Sequence, residues 1–150
     1  MNNIRIEIKP FKALFIDELY KVLALRNEIF IVEQNCVYED IDGSDDKADH
    51  LMFWDGDLLV AYARLFDHGV KYEDAACIGR VLVRQEYRKF GFGHQLIKQA
   101  LRYIRENYAA ESVEIGAQEH LSAFYESHGF RITSESYLED GIPHIQMRIA

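Results

Sequence analysis

Ile78-Gly79-Arg80-Val81-Leu82-Val83-Arg84-Gln85-Glu86-Tyr87-Arg88-Lys89-Phe90-Gly91-Phe92-Gly93 is the stretch on which the fold turns. An apolar strand from Ala75 to Val83 leads into R-x-x-G-x-G. The helical spacing of Leu96, Ile97, Ala100, Leu101, Ile104 and Tyr108 begins straight after it. Closely spaced glycines at a helix start make an anion cradle. They let the backbone approach a ligand closely, several N–H groups point outward, and the helix dipole adds about half a positive charge. Arg88 and Lys89 supplement that charge. A plain tight turn entering a helix has the same pattern, so the glycines alone do not decide. Two other phosphate motifs are excluded: G-x-x-x-x-G-K-[ST] is absent, and Gly91-x-Gly93 lacks the third glycine of the dinucleotide fingerprint.

Upstream, Ile4, Ile6 and Ile8 alternate with charged residues as a half-buried strand ending at Pro10. Phe15, Leu19, Val22, Leu23, Arg26 and Phe30 recur at helical spacing and predict a helix from Phe15 to Ile29. The polar segment from Glu33 to Asp49 reads as a loop with one short helical turn. His50–Trp54 and Leu58–Phe66 are strands joined at Asp55-Gly56-Asp57, a hairpin signal. Downstream, Val113, Ile115 and Ala117 alternate as a strand. Leu121, Phe124, Tyr125 and His128 fit a short helix stopped by Gly129. Ile145, Met147 and Ile149 mark a final strand. This order predicts a mixed α/β domain, and with no repeat or linker it predicts one domain over residues 1–150.

Composition narrows the function. The chain is 49% hydrophobic and 28% charged, which excludes a disordered or collagen-like protein. Cys36 and Cys77 cannot make a disulfide framework and suit a reducing compartment. No apolar run approaches a membrane span and the N-terminus lacks a signal peptide's apolar stretch, so the expectation is a soluble cytoplasmic protein without membrane partners. A net charge of −8 argues against nucleic-acid binding. The charge is unevenly spread, though. Ile78–Arg105 carries +6 and the rest of the chain −14. Glu33–Asp49 holds seven acids and one lysine, a segment that favours a cation. As a calcium loop, Asp40-x-Asp42-Gly43-x-Asp45 fails, because the glycine falls early and Leu51 stands where a bidentate Glu belongs. The expectation is no metal.

Taken together, Val81-Leu82-Val83 and Arg88-x-x-Gly91-x-Gly93 resemble the acetyl-CoA motif of the GNAT superfamily of N-acetyltransferases. A second match is Ala117-Gln118-Glu119-His120-Leu121-Ser122-Ala123-Phe124-Tyr125-Glu126-Ser127-His128-Gly129-Phe130, similar to that superfamily's strand and helix ending in Y-x-x-x-G-F. Leu25–Gly43 and Glu139–Met147 resemble its ElaA-like branch. The resemblance covers nearly the whole chain. It implies a mixed, twisted sheet of about six or seven strands flanked by helices, with coenzyme A entering a split between the strand ending near Val83 and the strand Val113–Gln118.

By that resemblance, backbone groups of Val81, Leu82 and Val83 pair with the pantetheine arm, and Arg88, Lys89, Phe90, Gly91, Phe92 and Gly93 hold the pyrophosphate. Gln118 stands where many relatives carry Asn. Tyr125, also a cofactor contact, matches the general acid that protonates the departing thiolate, although a core tyrosine on the helix's apolar face fits the same spacing. A backbone N–H of Val83 or its neighbour serves the oxyanion. The general base is open among Glu33, His120, His144 and Asp42, with Glu33 first because it follows the apolar run Phe30–Val32. Arg26, Glu33, Asp42 and His144 stand as acceptor-binding candidates. The expected reaction moves an acetyl group from acetyl-CoA to a primary amine, with cationic amines drawn to Asp42 and Asp45. Two other readings are an idle acyl-CoA-binding module and an acyltransferase similar to acyl-homoserine-lactone synthases, which Arg26-x-x-x-Phe30-x-x-Glu33 suggests. A homodimer is an open expectation.

Overall fold

The computed structural model describes residues 3–150. One eight-stranded sheet carries the architecture, in the order β1-β2-β3-β4-β5-β8-β6 with β7 also paired to β8. Its strands are β1 (Ile4–Pro10), β2 (Asp49–Asp55), β3 (Leu58–Phe66), β4 (Ala76–Val83), β5 (Val113–Gln118), β6 (Arg131–Ile132), β7 (Tyr137–Glu139) and β8 (Ile142–Ile149). The helices are α1 (Ile16–Arg26), α2 (Phe92–Asn107) and α3 (Ser122–Glu126). The strand count exceeds the expected one because β6 and β7, of two and three residues, are too short to show a period.

β2 and β3 are joined by the two-residue turn Gly56-Asp57, with Gly56 at φ +60°. Both faces of these strands are buried, which is why they read as continuous apolar runs. Leu51 and Phe53 face α2 through Leu96, Ile97, Ala100 and Ile104. Their neighbours Met52 and Trp54 face α1 through Val22 and Leu25. A helix covers each face, and period-two alternation assigns the strand residues between them. The Pro10 end of β1 sits on the sheet edge, where a missing N–H costs no ladder bond.

The first helix departs from the expected boundary in an instructive way. After Arg26 the chain widens into π-helical turns over Asn27–Glu33. The Gln34 N–H reaches the Ile29 carbonyl at 3.2 Å and the Cys36 N–H reaches that of Ile31 at 3.1 Å, both five residues back. Such wide turns are rare and concentrate at functional sites. They deliver Glu33, Gln34 and Cys36 to the sheet's central split. The short turn expected in the following loop is present at Asp45–Lys47.

Candidate active site

β4 and β5 are the parallel neighbours of the sheet, and they pair only at Ala76 with Val113 and Cys77 with Glu114. Beyond that they splay. The register of β3 against β4 slips between Tyr62 and Arg64, a bulge at which Arg80 adopts φ +50°. A bulge bends its strand and increases local twist, which turns the C-terminal half of β4 away from β5. The gap is a cleft of about 1140 Å³ lined by both strands, the π-helical turns, α3 and the β7–β8 turn. At its edge, the Arg84 N–H bonds the Val60 carbonyl at 2.7 Å. That bond makes Ala61 and Val83 a non-hydrogen-bonded pair, so Val83 directs its own N–H and C=O away from β3 and into the cleft.

At the end of β4 the chain forms a short turn over Gln85–Phe90 and then enters α2 through Gly91, at φ +75° and without a side-chain cap. The first intrahelical bond is that of the Gln95 N–H to Gly91, at 3.2 Å. The N–H groups of Phe92, Gly93 and His94 therefore remain open at the positive end of a 16-residue helix. The Phe92 side chain is buried against Phe53 and Tyr87, so only its backbone faces the cradle. Gly93 gives room on the other side, where an added Cβ would lie 3.4 Å from Phe124. The basic segment is less free than its count suggests. Arg80, Arg84, Arg88 and Arg102 are each ion-paired with a carboxylate. Among the described residues Lys89 has no carboxylate partner.

Tyr125 lines the cleft from α3 and is 7% exposed, with Phe124 and Phe130 edge-on at 5.0 and 5.9 Å. Its hydroxyl has no hydrogen-bond partner among the described residues, and burial pushes its pKa up to about 12. His144 lies across the cleft. Its Nδ1 is 2.7 Å from the Ile142 carbonyl, an acceptor only, so Nδ1 carries the proton and donates. In the neutral ring this leaves the lone pair on Nε2, 3.5 Å from Glu139. Glu33, His120 and Asp42 also line the cleft. The Glu33 carboxylate is held by Arg88 at 2.7 Å, while the same Arg88 donates to the Val83 carbonyl at 2.9 Å. Gln118 donates to Gln34 at 3.3 Å, and the Cys36 thiol contacts the Asp140 carbonyl at 3.5 Å. The segment 33–36 thus crosses the mouth of the split, touching Arg88 beyond β4, the end of β5 and the β7–β8 turn.

A splayed parallel pair above an uncapped glycine-rich helix start is the geometry that the sequence resemblance implies. The model of the acetyltransferase (GNAT) domain matches residues 20–150. The chain belongs to the GNAT acetyltransferase family. It is 44% identical to protein ElaA of Escherichia coli over 136 residues, covering 89% of this chain and 88% of that protein. The ElaA crystal structure superposes with a TM-score of 0.91 over 97% of this chain and 99% of the other. An acyl-CoA N-acyltransferase structure from Pseudomonas aeruginosa is 42% identical, with a TM-score of 0.91 over 99% and 100% of the two chains. A UPF0039 protein of Schizosaccharomyces pombe is 39% identical over 99% of both chains.

Set in this GNAT frame, the acceptor-side candidates separate. Glu33, Asp42 and His144 line the cleft, whereas Arg26 does not. Arg26 is fully buried, bonded to Asp40 at 3.0 Å and to Asp45 at 2.6 Å. Arg64 binds Asp42 at 2.6 Å and Asp45 at 3.1 Å, and Arg80 binds Asp40 at 2.8 Å. Three arginines and three aspartates thus neutralise one another and clamp the acidic loop to the sheet. Burial opposes ionisation of Asp42 and Asp45, yet their bonds to Arg64 and Arg26 outweigh it and hold both carboxyls below the usual range. The expected pull of Asp42 and Asp45 on a cation is therefore largely spent inside the protein. The reading of the sequence missed Arg64 and Arg80. An arginine inside the apolar run Leu58–Phe66 was the available signal for Arg64, since a buried guanidinium requires a carboxylate partner. Cys77 is a core residue whose thiol burial pushes up to about 12. Among the described residues no group of three or more His, Cys, Asp or Glu side chains is placed to hold a metal ion.

Proposed function

We propose that this protein transfers an acetyl group from acetyl-CoA to a primary amine by direct attack within a ternary complex. The observation that carries the reading is the edge of β4, where the Val83 N–H turns into a cleft that ends at the uncapped start of α2, while the Val83 C=O accepts from Arg88. A pantetheine arm would bond that edge as an added strand does, and the pyrophosphate would take the open N–H groups of Phe92, Gly93 and His94 with Lys89. Two proteins of the same fold, at 23% and 19% identity, were solved with CoA and acetyl-CoA bound.

The reaction asks this chain for three services. The Nε2 of His144 accepts the proton that the attacking amine gives up, a better-placed base than Glu33, whose carboxylate is engaged by Arg88. The Val83 N–H donates to the oxygen of the tetrahedral intermediate. As the new C–N bond persists and the C–S bond breaks, Tyr125 donates a hydrogen bond to the departing sulfur. A phenol at about 12 stays protonated throughout the working pH range, so it serves as a standing hydrogen-bond donor that stabilises the thiolate as the C–S bond breaks.

Thermal denaturation with and without acetyl-CoA tests the cofactor. A ligand at a hundred times its Kd adds about 2.7 kcal/mol of stability, and no shift at millimolar acetyl-CoA rejects the reading. Release of free thiol on adding an amine tests turnover. A shift with no thiol release for any amine establishes a binding module instead.

A further inference from the structure

We infer that the acceptor is an aliphatic di- or polyamine, held through its non-reacting charge by Glu39, Glu139 and Asp140. The inference rests on the amine-acetylation reading above and adds which amine. Five carboxylates line the cleft, and two of them are consumed: Glu33 by Arg88 and Asp42 by Arg64. The remaining three come from segments 100 residues apart, brought together where the Cys36 thiol meets the Asp140 carbonyl. Among the described residues no lysine or arginine pairs with any of the three; their titratable neighbours are the His144 ring, 3.5 Å from Glu139, the Tyr137 phenol near Glu139 and the Cys36 thiol at the Asp140 carbonyl. The cavity they border also holds an unpartnered hydroxyl on a side chain more than nine-tenths buried, Tyr125, which marks the space as built for a ligand.

The two ends of the cleft then divide the labour. Open N–H groups and Lys89 attract the polyanionic donor to the α2 side. The carboxylate rim attracts a cation to the opposite side and repels the donor's phosphates. One amine of the acceptor must shed a proton to attack, so the rim's attraction is fully expressed only on a second charge that stays protonated. Phe30 and Ile142 line the same cleft and offer apolar surface to an aliphatic spacer between two amines.

The test compares 1,5-diaminopentane with pentylamine, molecules of one length that differ by one charge. Calorimetric titration into the CoA-loaded protein should show the diamine binding about ten-fold more tightly at low salt. That preference should shrink toward 150 mM salt, where the screening length is ~8 Å. In the E39Q/E139Q/D140N variant, whose substitutions lie on the exposed rim, the ratio should fall to about one while acetyl-CoA affinity stays within two-fold. Equal affinities in the natural protein, or an unchanged ratio in the triple variant, overturn the inference. If acetyl-CoA itself does not bind, the cofactor reading fails on its own. The same titration on the free protein then still decides the rim, since a diamine preference lost in the triple variant sustains it and equal affinities reject it.

Discussion

Tyr125 and Arg26 show how burial gives one side chain a chemical role and another a structural one. Both are largely or wholly withdrawn from water. The tyrosine has no partner in the cleft, and the arginine has three hydrogen bonds to Asp40 and Asp45. Tyr125→Phe removes only the hydroxyl. It should lower kcat about 100-fold, within the range of a general acid, while acetyl-CoA affinity changes less than about three-fold. Equal losses of affinity and stability would instead assign Tyr125 to core packing. Because burial holds its pKa at about 12, the rate profile should show no alkaline fall from Tyr125 below about pH 11. Arg26→Met makes the opposite prediction. It strips a buried guanidinium from Asp40 and Asp45 and leaves them Arg80 and the Tyr38 hydroxyl on one and Arg64 on the other. A loss of about 3 kcal/mol is expected from chemical denaturation, since removing one partner of a buried pair strands the other.

The loop between the π-helical turns and β2 is held by charge and one histidine more than by apolar contact, so its hold depends on pH. His50 is fully buried, with Nε2 donating to the Asp45 carbonyl at 2.9 Å and Nδ1 accepting from the Tyr62 hydroxyl at 2.5 Å. Burial lowers its pKa from the ordinary value. Below about pH 6.5 the unfolded chain therefore takes up a proton that the folded chain refuses, and stability falls as pH falls. Asp42 and Asp45 add a second window. Their folded values are depressed, so their contribution is fully present above the ordinary carboxylate pKa of ~3.9 and is lost progressively as pH falls from there through the lower folded values. Melting temperature should decline from pH 7 to 5 and steepen below pH 4. His50→Gln should flatten the upper limb, leaving the smaller share of His128, whose pKa burial also lowers. An unflattened limb would remove His50 from the account. At this scale the sequence was partly legible. The β2–β3 hairpin, α2 and the glycine cradle were visible because period, turn chemistry and composition are local. The π-helical turns were not, because an i to i−5 bond leaves the same apolar residues near the same spacing. The carboxylates of the acidic loop were visible, but their neutralisers Arg64 and Arg80 belong to strands whose facing is set only by the assembled sheet.

Viewed whole, the sheet is two half-sheets, β1–β4 and β5–β8, sharing just two paired positions. α2 packs over both, with Val113, Ile115 and Met147 from one half and Leu51, Phe53 and Ile78 from the other in the same buried cluster. That common core keeps the halves together while their C-terminal strand ends stand apart, so the cleft follows from topology and does not require removing core. An open β4 edge leaves backbone N–H groups exposed to water that a continuous ladder would protect. Filling the split with a ligand that bonds this edge should therefore slow amide hydrogen exchange at Val83 and at the first N–H groups of α2. The β2–β3 hairpin, already bonded on both sides, should change little until the whole molecule gains stability. The distinction is measurable under conditions where exchange at β4 occurs by local opening and exchange at the hairpin requires global unfolding. Acetyl-CoA should then raise protection at the hairpin only by its global stabilisation, about 2.7 kcal/mol at a hundred times Kd, whereas the Val83 amide gains direct protection besides. Slowing confined to the hairpin, with Val83 untouched, would place the bound ligand elsewhere and refute the split as the binding site.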